Sequence, residues 1–381
     1  MRTVRAWIAG LVMASLAAGV AAGAHAQSPP IKIGQVVPLS GGSAAVNGRF
    51  MKQGAELAVE MINAGGGING RPLALVHADD QSTNPGAVAA LQKLLEGKEI
   101  PMILGPIFSA QVQAMLPTIN EAKIPVAIGA TAYGLTHGGS QWLFRFRPHD
   151  GISAKIIAKF TVEELKVNKV ALVYSSEPFG IGGRDLVTAA LKDLGVELVM
   201  TQGYINGEKD FTAVIESIKK SGPLALVTYM TLPADLGLFA RQLKQQGAQV
   251  TWIGSSSILN LEIRTQAGEA LYGTYGVSEF NGDASPAARS FVTVYKAKYG
   301  QEASGSAVWC YDAVRVFAEA MKKAPDLKPE NLRLAIQGVQ KFPGAMGEYN
   351  FDGNGDGLDS YHVMQNDQGT LKLLKTMRVA R

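Results

Sequence analysis

Hydroxyl side chains stand close to glycine in two short stretches, Gly105-Pro106-Ile107-Phe108-Ser109 and Gly129-Ala130-Thr131, and each stretch directly follows an apolar, strand-like run. At the carboxyl end of a strand, where the next helix begins, backbone N–H groups point outward without intrahelical partners and the helix dipole adds partial positive charge. A serine, a threonine and such N–H groups can hold a carboxylate through charge-assisted hydrogen bonds, with no buried arginine required. The same residue types also cap helices, so Ser109 and Thr131 have a second reading in which each hydroxyl satisfies its own helix and binds nothing. Residue type alone leaves both readings open. In the second half of the chain, residues 175–180, 231–234 and 254–257 meet the same positional criterion.

These groups must be positioned by a pattern of short β-branched runs alternating with longer amphipathic segments, which is the signature of parallel sheets flanked by helices. Strands are expected at 31–37, 73–78, 101–104 and 125–128, and helices over 50–62, 85–95 and 111–122. Asn84 is expected to cap the helix that Pro85 opens. After Arg145-Phe146-Arg147-Pro148 the rhythm restarts, with strands at 170–174, 196–201, 224–229 and 250–253 and helices over 181–194, 211–220 and 234–246. Beyond Tyr275 the pattern turns mainly helical, at 286–299, 307–322 and 329–337, and closes in a strand-like tail from Tyr361. Two similar halves in tandem imply an α/β protein of two Rossmann-like lobes. In open parallel sheets ligands gather outside the carboxyl ends of the strands, where all five stretches fall.

The N-terminus reads as a signal peptide over residues 1–26: Arg2 and Arg5 precede an apolar run, and Ala24-His25-Ala26 supplies small residues at both recognition positions before a polar exit. No later run reaches the roughly 20 apolar residues that a membrane span needs. An exported chain with Cys310 as its single cysteine has no intramolecular disulfide, so its stability must come from ordinary cores. The 381 residues suffice for two domains after the leader, and 36 basic against 32 acidic side chains, with no clustered basic stripe, leave no footprint for nucleic acid.

Several motif matches fail on context. Gly65-Gly66-Gly67-Ile68-Asn69-Gly70 has the G-x-G-x-x-G spacing but follows a helix and precedes a strand, the reverse of a dinucleotide site. Asp352, Asn354, Asp356 and Gly357 imitate the start of an EF-hand loop, yet the twelfth position is Val363, so a polar turn is expected. Cys310 reads as a small buried hydrophobe. Beyond the leader the histidines are His77, His137, His149 and His362, no two close in sequence, and there is no nucleophile elbow or zinc-binding His pair. An enzyme is therefore disfavoured, and neither a metal nor a cofactor is expected.

The chain resembles the periplasmic leucine/isoleucine/valine-binding proteins, the substrate-binding subunits of ABC importers. The resemblance is carried by Ile31-Lys32-Ile33-Gly34 with Pro38-Leu39-Ser40-Gly41, then Ile62-Asn63-Ala64 with the glycine-rich run, Asp79-Asp80, Gly105-Pro106, Ser109 and Ala130-Thr131. It continues through Phe179-Gly180, Lys209-Asp210-Phe211 and Tyr311-Asp312-Ala313-Val314. It implies a type I periplasmic binding fold with three crossovers near 147, 277 and 357. The N-terminal lobe would comprise 31–147 with 278–357 and the C-terminal lobe 148–277 with 358–381, closing by a three-segment hinge. It implies a periplasmic monomer that serves an inner-membrane ABC permease.

Carried over residue by residue, the resemblance gives Ser109 and Thr131 the ligand's carboxylate and uses the backbone of Gly129 or Ala130. Phe179 and Leu232 stand where tyrosines are common in the family, making that wall more apolar. Ser256 replaces an acid that pairs with the ligand's ammonium. A serine cannot neutralise that charge, and a buried ammonium without a carboxylate costs several kcal/mol. Glu279 is either the substitute acid or a solvated charge on a connecting segment. Two ligand classes follow: a branched-chain or other apolar amino acid, or an aromatic or keto acid without the amine. A periplasmic ligand sensor of the same fold is the alternative to a transport subunit.

Overall fold

The computed structural model describes residues 28–97 and 99–379. The predicted signal peptide lies outside them. The first sheet is built from β1 (Ile31–Val37), β2 (Leu73–Asp79), β3 (Ile103–Leu104), β4 (Val126–Ile128) and β5 (Leu143–Arg145), all parallel in the order β2-β1-β3-β4-β5. Its helices are α1 (Ala45–Ala64), α2 (Asn84–Leu95), α3 (Ser109–Ala122) and the single turn α4 (Gly134–His137). The chain then passes to a second sheet through α5 (Asp150–Lys159). There β6 (Val170–Ser175), β7 (Leu198–Tyr204), β8 (Ala225–Tyr229), β9 (Thr251–Gly254) and β10 (Tyr275–Ser278) run parallel. They alternate with α6 (Pro178–Asp193), α7 (Thr212–Ser221), α8 (Pro233–Gln245) and α9 (Leu261–Ala267).

The chain returns to the first lobe as α10 (Pro286–Tyr299), α11 (Gly305–Lys323), α12 (Pro329–Gln337) and the small hairpin β11 (Phe342–Pro343) and β12 (Glu348–Tyr349). It ends on the second sheet as β13 (Ser360–Asp367) and β14 (Thr370–Arg378), both antiparallel to their neighbours, in the order β14-β13-β10-β9-β8-β6-β7. The three passages between sheets fall after β5, after β10 and before β13.

Each lobe buries its own apolar face. In the first, α1 lies against α11 so closely that a Cβ on Gly54 would meet the Ala307 carbonyl oxygen at 2.0 Å. Fully buried Trp309 of the same helix fills the space under Gly129. In the second, Val170, Leu172, Val227 and Ile253 form one face of the sheet and Ala171, Val173, Leu226 and Trp252 the other. That double burial is why these strands read as continuous apolar runs.

Two local expectations change. Thr83, not Asn84, caps α2: Thr83 is extended and its hydroxyl accepts from the Gly86 N–H at 3.0 Å, while Asn84 and Pro85 are already helical. The strands β5 and β10 went unpredicted because Leu143-Phe144-Arg145 ends on a charged residue and Tyr275-Gly276-Val277-Ser278 is broken by a glycine, so neither reads as an apolar run. The 352–357 segment is a polar turn, with Asp352 Oδ1 accepting from the N–H groups of Asn354 and Asp356.

Asp80, at the end of β2, is fully buried, and its Oδ2 has no partner while Oδ1 accepts from Ser82 N–H at 2.7 Å. Burial pushes its pKa up to about 6, and the Ser82 and Gln111 donors only partly offset this. A carboxyl whose folded pKa exceeds its unfolded value binds more protons in the native state. Its contribution to stability is therefore greatest below about pH 4 and is lost as pH rises through 6. Asp80→Asn is expected to stabilise the protein by about 2–3 kcal/mol at pH 7.5 and by nothing at pH 4, measured by chemical denaturation at both values. An equal effect at both would show that the carboxyl does not titrate in this window.

Candidate functional site

The loops at the carboxyl ends of β3, β4, β8 and β9 converge on one cavity of about 50 Å³ between the lobes. Asn47, Ile107, Phe108, Ser109 and Thr131 line it from the first lobe, Phe179, Thr231, Ser256, Ser257 and Asn260 from the second, and Arg147 from the first crossover. The lobes are close together, with α3 approaching α6 and the 42–44 turn approaching α8.

Neither hydroxyl of the first lobe caps a helix. Phe108 is the N-cap of α3 and has no capping side chain, so Ser109 is already the first helical residue. The Ser109 Oγ accepts from Ala132 N–H at 3.3 Å, tying the β3 and β4 loops together. Thr131 precedes Tyr133, the N-cap of α4. Its carbonyl accepts from Asp150 N–H at 2.9 Å and its hydroxyl meets the Asp150 carboxyl.

Arg147 and Glu279 reshape the sequence expectation. Glu279 is 4% exposed and therefore not a solvated charge. Its Oε1 lies 2.6 Å from Arg147 Nε, while Oε2 is buried without a hydrogen-bond partner. Arg147 also donates to the Gly129 carbonyl at 2.8 Å and to Ser256 Oγ at 3.1 Å. Burial would lower the arginine pKa, but the Glu279 carboxylate, together with Tyr361 and Asp150, outweighs this and holds it above the ordinary value. One guanidinium from the first crossover thus ties together the β4 loop, the β9 loop and the second crossover. It also puts into the lining the buried arginine that the sequence reading had left out.

Phe179 reaches the cavity and packs on the Tyr229 ring at 5.4 Å. Leu232 does not line it; its neighbour Thr231 does, because Leu232 is the N-cap of α8. Thr231 Oγ1 bonds Ser175 Oγ at 2.8 Å and donates to Glu177, whose carboxylate caps α6 through the N–H groups of Phe179 and Gly180. Gly129 and Ala130 lie behind the lining, Gly129 contributing its carbonyl to Arg147. Asn47, Arg147 and Asn260 were not singled out from sequence as site residues. Arg147 did stand in the Arg-Phe-Arg-Pro run that marked the first crossover, whereas Asn47 and Asn260 carry no signal of their own.

Two α/β lobes linked by three crossovers, with a small polar cavity between the strand ends, define a two-lobed solute-binding protein. The periplasmic binding protein family model matches residues 30–370, and the chain belongs to that family. It is 30% identical to a leucine-, isoleucine-, valine-, threonine- and alanine-binding protein of Pseudomonas aeruginosa, over 86% of this chain and 87% of the relative. Among solved structures it is similar to a branched-chain amino acid transporter substrate-binding protein of Streptococcus pneumoniae in complex with isoleucine, at a TM-score of 0.85 and 27% identity, covering 92% of this chain and 100% of that one. A Rhodopseudomonas palustris solute-binding protein in complex with benzoate shares the fold at a TM-score of 0.84 and 20% identity, over 92% and 98% of the two chains. The family consists of solute-binding proteins, and the chain is not an enzyme.

Proposed function

We propose that this chain is the periplasmic solute-binding subunit of an ABC importer and that it captures a small carboxylate with an apolar body by closing its hinge. Residues 1–26, as a cleaved leader, deliver it to the periplasm, where an inner-membrane permease receives the closed form. Ser109 at the start of α3, Thr131 and Arg147 are the groups for the carboxylate, and Ile107, Phe108 and Phe179 enclose the apolar body.

Within that class, the lining favours an acid without an amine. Arg147 is the one charged side chain that lines the cavity. Of the acids behind the lining, Glu279 is held by Arg147, Glu177 by the start of α6 and Thr231, and Asp150 by Ser153 and the Thr131 hydroxyl. An ammonium brought in here would be desolvated beside a guanidinium, with Ser256 in place of an acid. The second reading, a branched-chain or other apolar amino acid, draws on the Pseudomonas relative's name and on the unpartnered Glu279 Oε2.

The test is a thermal-shift screen of mature protein, refolded free of co-purified ligand, against benzoate-type, phenylpropanoid and keto acids beside leucine, isoleucine and valine. A ligand at a hundredfold excess over its Kd adds about 2.7 kcal/mol. Stabilisation by amine-free acids alone supports the first reading, and stabilisation by leucine, isoleucine or valine replaces it with the second. For whichever ligand binds, Ser109→Ala and Thr131→Ala are each expected to weaken affinity by about 1–3 kcal/mol in calorimetry, beside a modest fall in Tm from the lost bonds to Ala132 N–H and the Asp150 carboxyl. A Tm loss with unchanged affinity would make both hydroxyls structural.

A further inference from the structure

The histidines that stand apart in sequence do not all stand apart in the fold. His137, the last residue of α4, His149, just past the first crossover, and Asp356, just before the third, bring one ligand atom each within 4.8 Å of one another. They line a separate cavity of about 390 Å³ that shares no lining residue with the ligand cavity. We propose that these three residues form a divalent-metal site on the hinge, with an N,N,O ligand set suited to a borderline ion such as Zn²⁺ and a remaining position left for water.

Three observations support a ligating role. His149 Nδ1 is buried and has no hydrogen-bond partner, an orphan that a metal would satisfy. Asp356 is oriented from behind, its Oδ1 accepting from Arg145 Nε at 2.8 Å and from Thr136 Oγ1 at 3.1 Å, while Oδ2 lies 3.7 Å from His137 Nδ1. His137 is held by the Tyr133 ring, stacked at 3.9 Å, and ligation through its Nδ1 would exchange the 3.1 Å hydrogen bond to the Tyr133 carbonyl for the metal. Outer contacts of this kind are what hold metal ligands in place. The charges around the site are mixed: Asp193, Asp352 and Lys155 line the same cavity, and Arg145 stands behind Asp356. A bound ion would link the first crossover to the third and so act on the segments that bend during closure.

The experiment is Zn²⁺ titration of chelator-treated, untagged mature protein by calorimetry, with Co²⁺ visible absorption as a second readout. Expected are one equivalent of Zn²⁺ bound, a rise in Tm, and at least about tenfold weaker binding in both His137→Gln and His149→Gln. His362→Gln, on β13, should leave binding unchanged. His137 is partly exposed, so its variant reports on the metal even if His149→Gln folds poorly. No saturable binding by the wild-type chain, or binding that survives His137→Gln and disappears in His362→Gln, would overturn the proposal. The amine and carboxylate screen does not depend on this result, so failure here leaves the ligand reading untouched.

Discussion

Glu279→Ala is expected to cost about 3–5 kcal/mol of folding stability, because it leaves the buried Arg147 guanidinium without its hydrogen-bonded carboxylate. Arg147 is 7% exposed and Glu279 4%, so water cannot take over the lost partner without opening the crossovers. Arg147 would keep only neutral acceptors, the Gly129 carbonyl and Ser256 Oγ. Glu279→Gln should fall between wild type and Glu279→Ala, since the amide oxygen still accepts from Nε but carries no charge. The informative variant is the double one, Arg147→Met with Glu279→Leu. Replacing both members of a buried pair by apolar residues is often neutral or stabilising, so most of the loss should return. Ligand affinity should not return, because the cationic group facing the carboxylate is gone. Chemical denaturation and calorimetry on the same four proteins separate the outcomes. If the double variant binds as wild type does, Arg147 holds the crossovers and takes no part in recognition.

This pair also shows how far the sequence could be read. Arg147 and Glu279 are separated by all of β6 to β10 and the helices between them, and nothing in either neighbourhood announces the other. Residue type made Glu279 look either solvated or free to meet an amine. The fold buries it against Arg147 and leaves only its Oε2 unpartnered, because two crossovers run side by side where those residues lie. By contrast, the alternation of strands and helices was legible nearly throughout, since central strands such as β6 and β8 are buried almost along their whole length and long helices such as α1 and α11 carry a buried apolar face. The strands β5 and β10 were not legible, because an arginine ends the first and a glycine interrupts the second. The loops after β3, β4, β8 and β9 were found by a positional rule about strand ends, which needs only the element order. Side-chain identity within them was harder: Thr231 and Leu232 are adjacent, and only the start of α8 decides which one faces the cavity. The clustering of His137, His149 and Asp356 likewise depends on two crossovers meeting, which no local pattern encodes.

Trp309→Ala is expected to be as damaging as the loss of Glu279, at about 3–5 kcal/mol, and to reach the binding site through packing alone. The indole is fully buried in α11 and lies so near Gly129 that a Cβ there would meet Trp309 Cε2 at 2.6 Å. Removing the ring takes the floor from under the loop that carries Thr131, so ligand affinity should fall together with stability. Trp309→Phe should cost much less, because the orphaned indole N–H, itself a penalty of about 1–3 kcal/mol, disappears along with part of the ring. Gly129→Ala alone should be strongly destabilising, since the methyl has nowhere to go but into the indole. In the Trp309→Ala background the same methyl enters a cavity, so the two changes together should cost clearly less than their sum. Neighbours in contact couple by about 0.5–3 kcal/mol, which a double-mutant cycle resolves. Strict additivity would mean that Gly129 is required by its own backbone and not by the tryptophan beneath it.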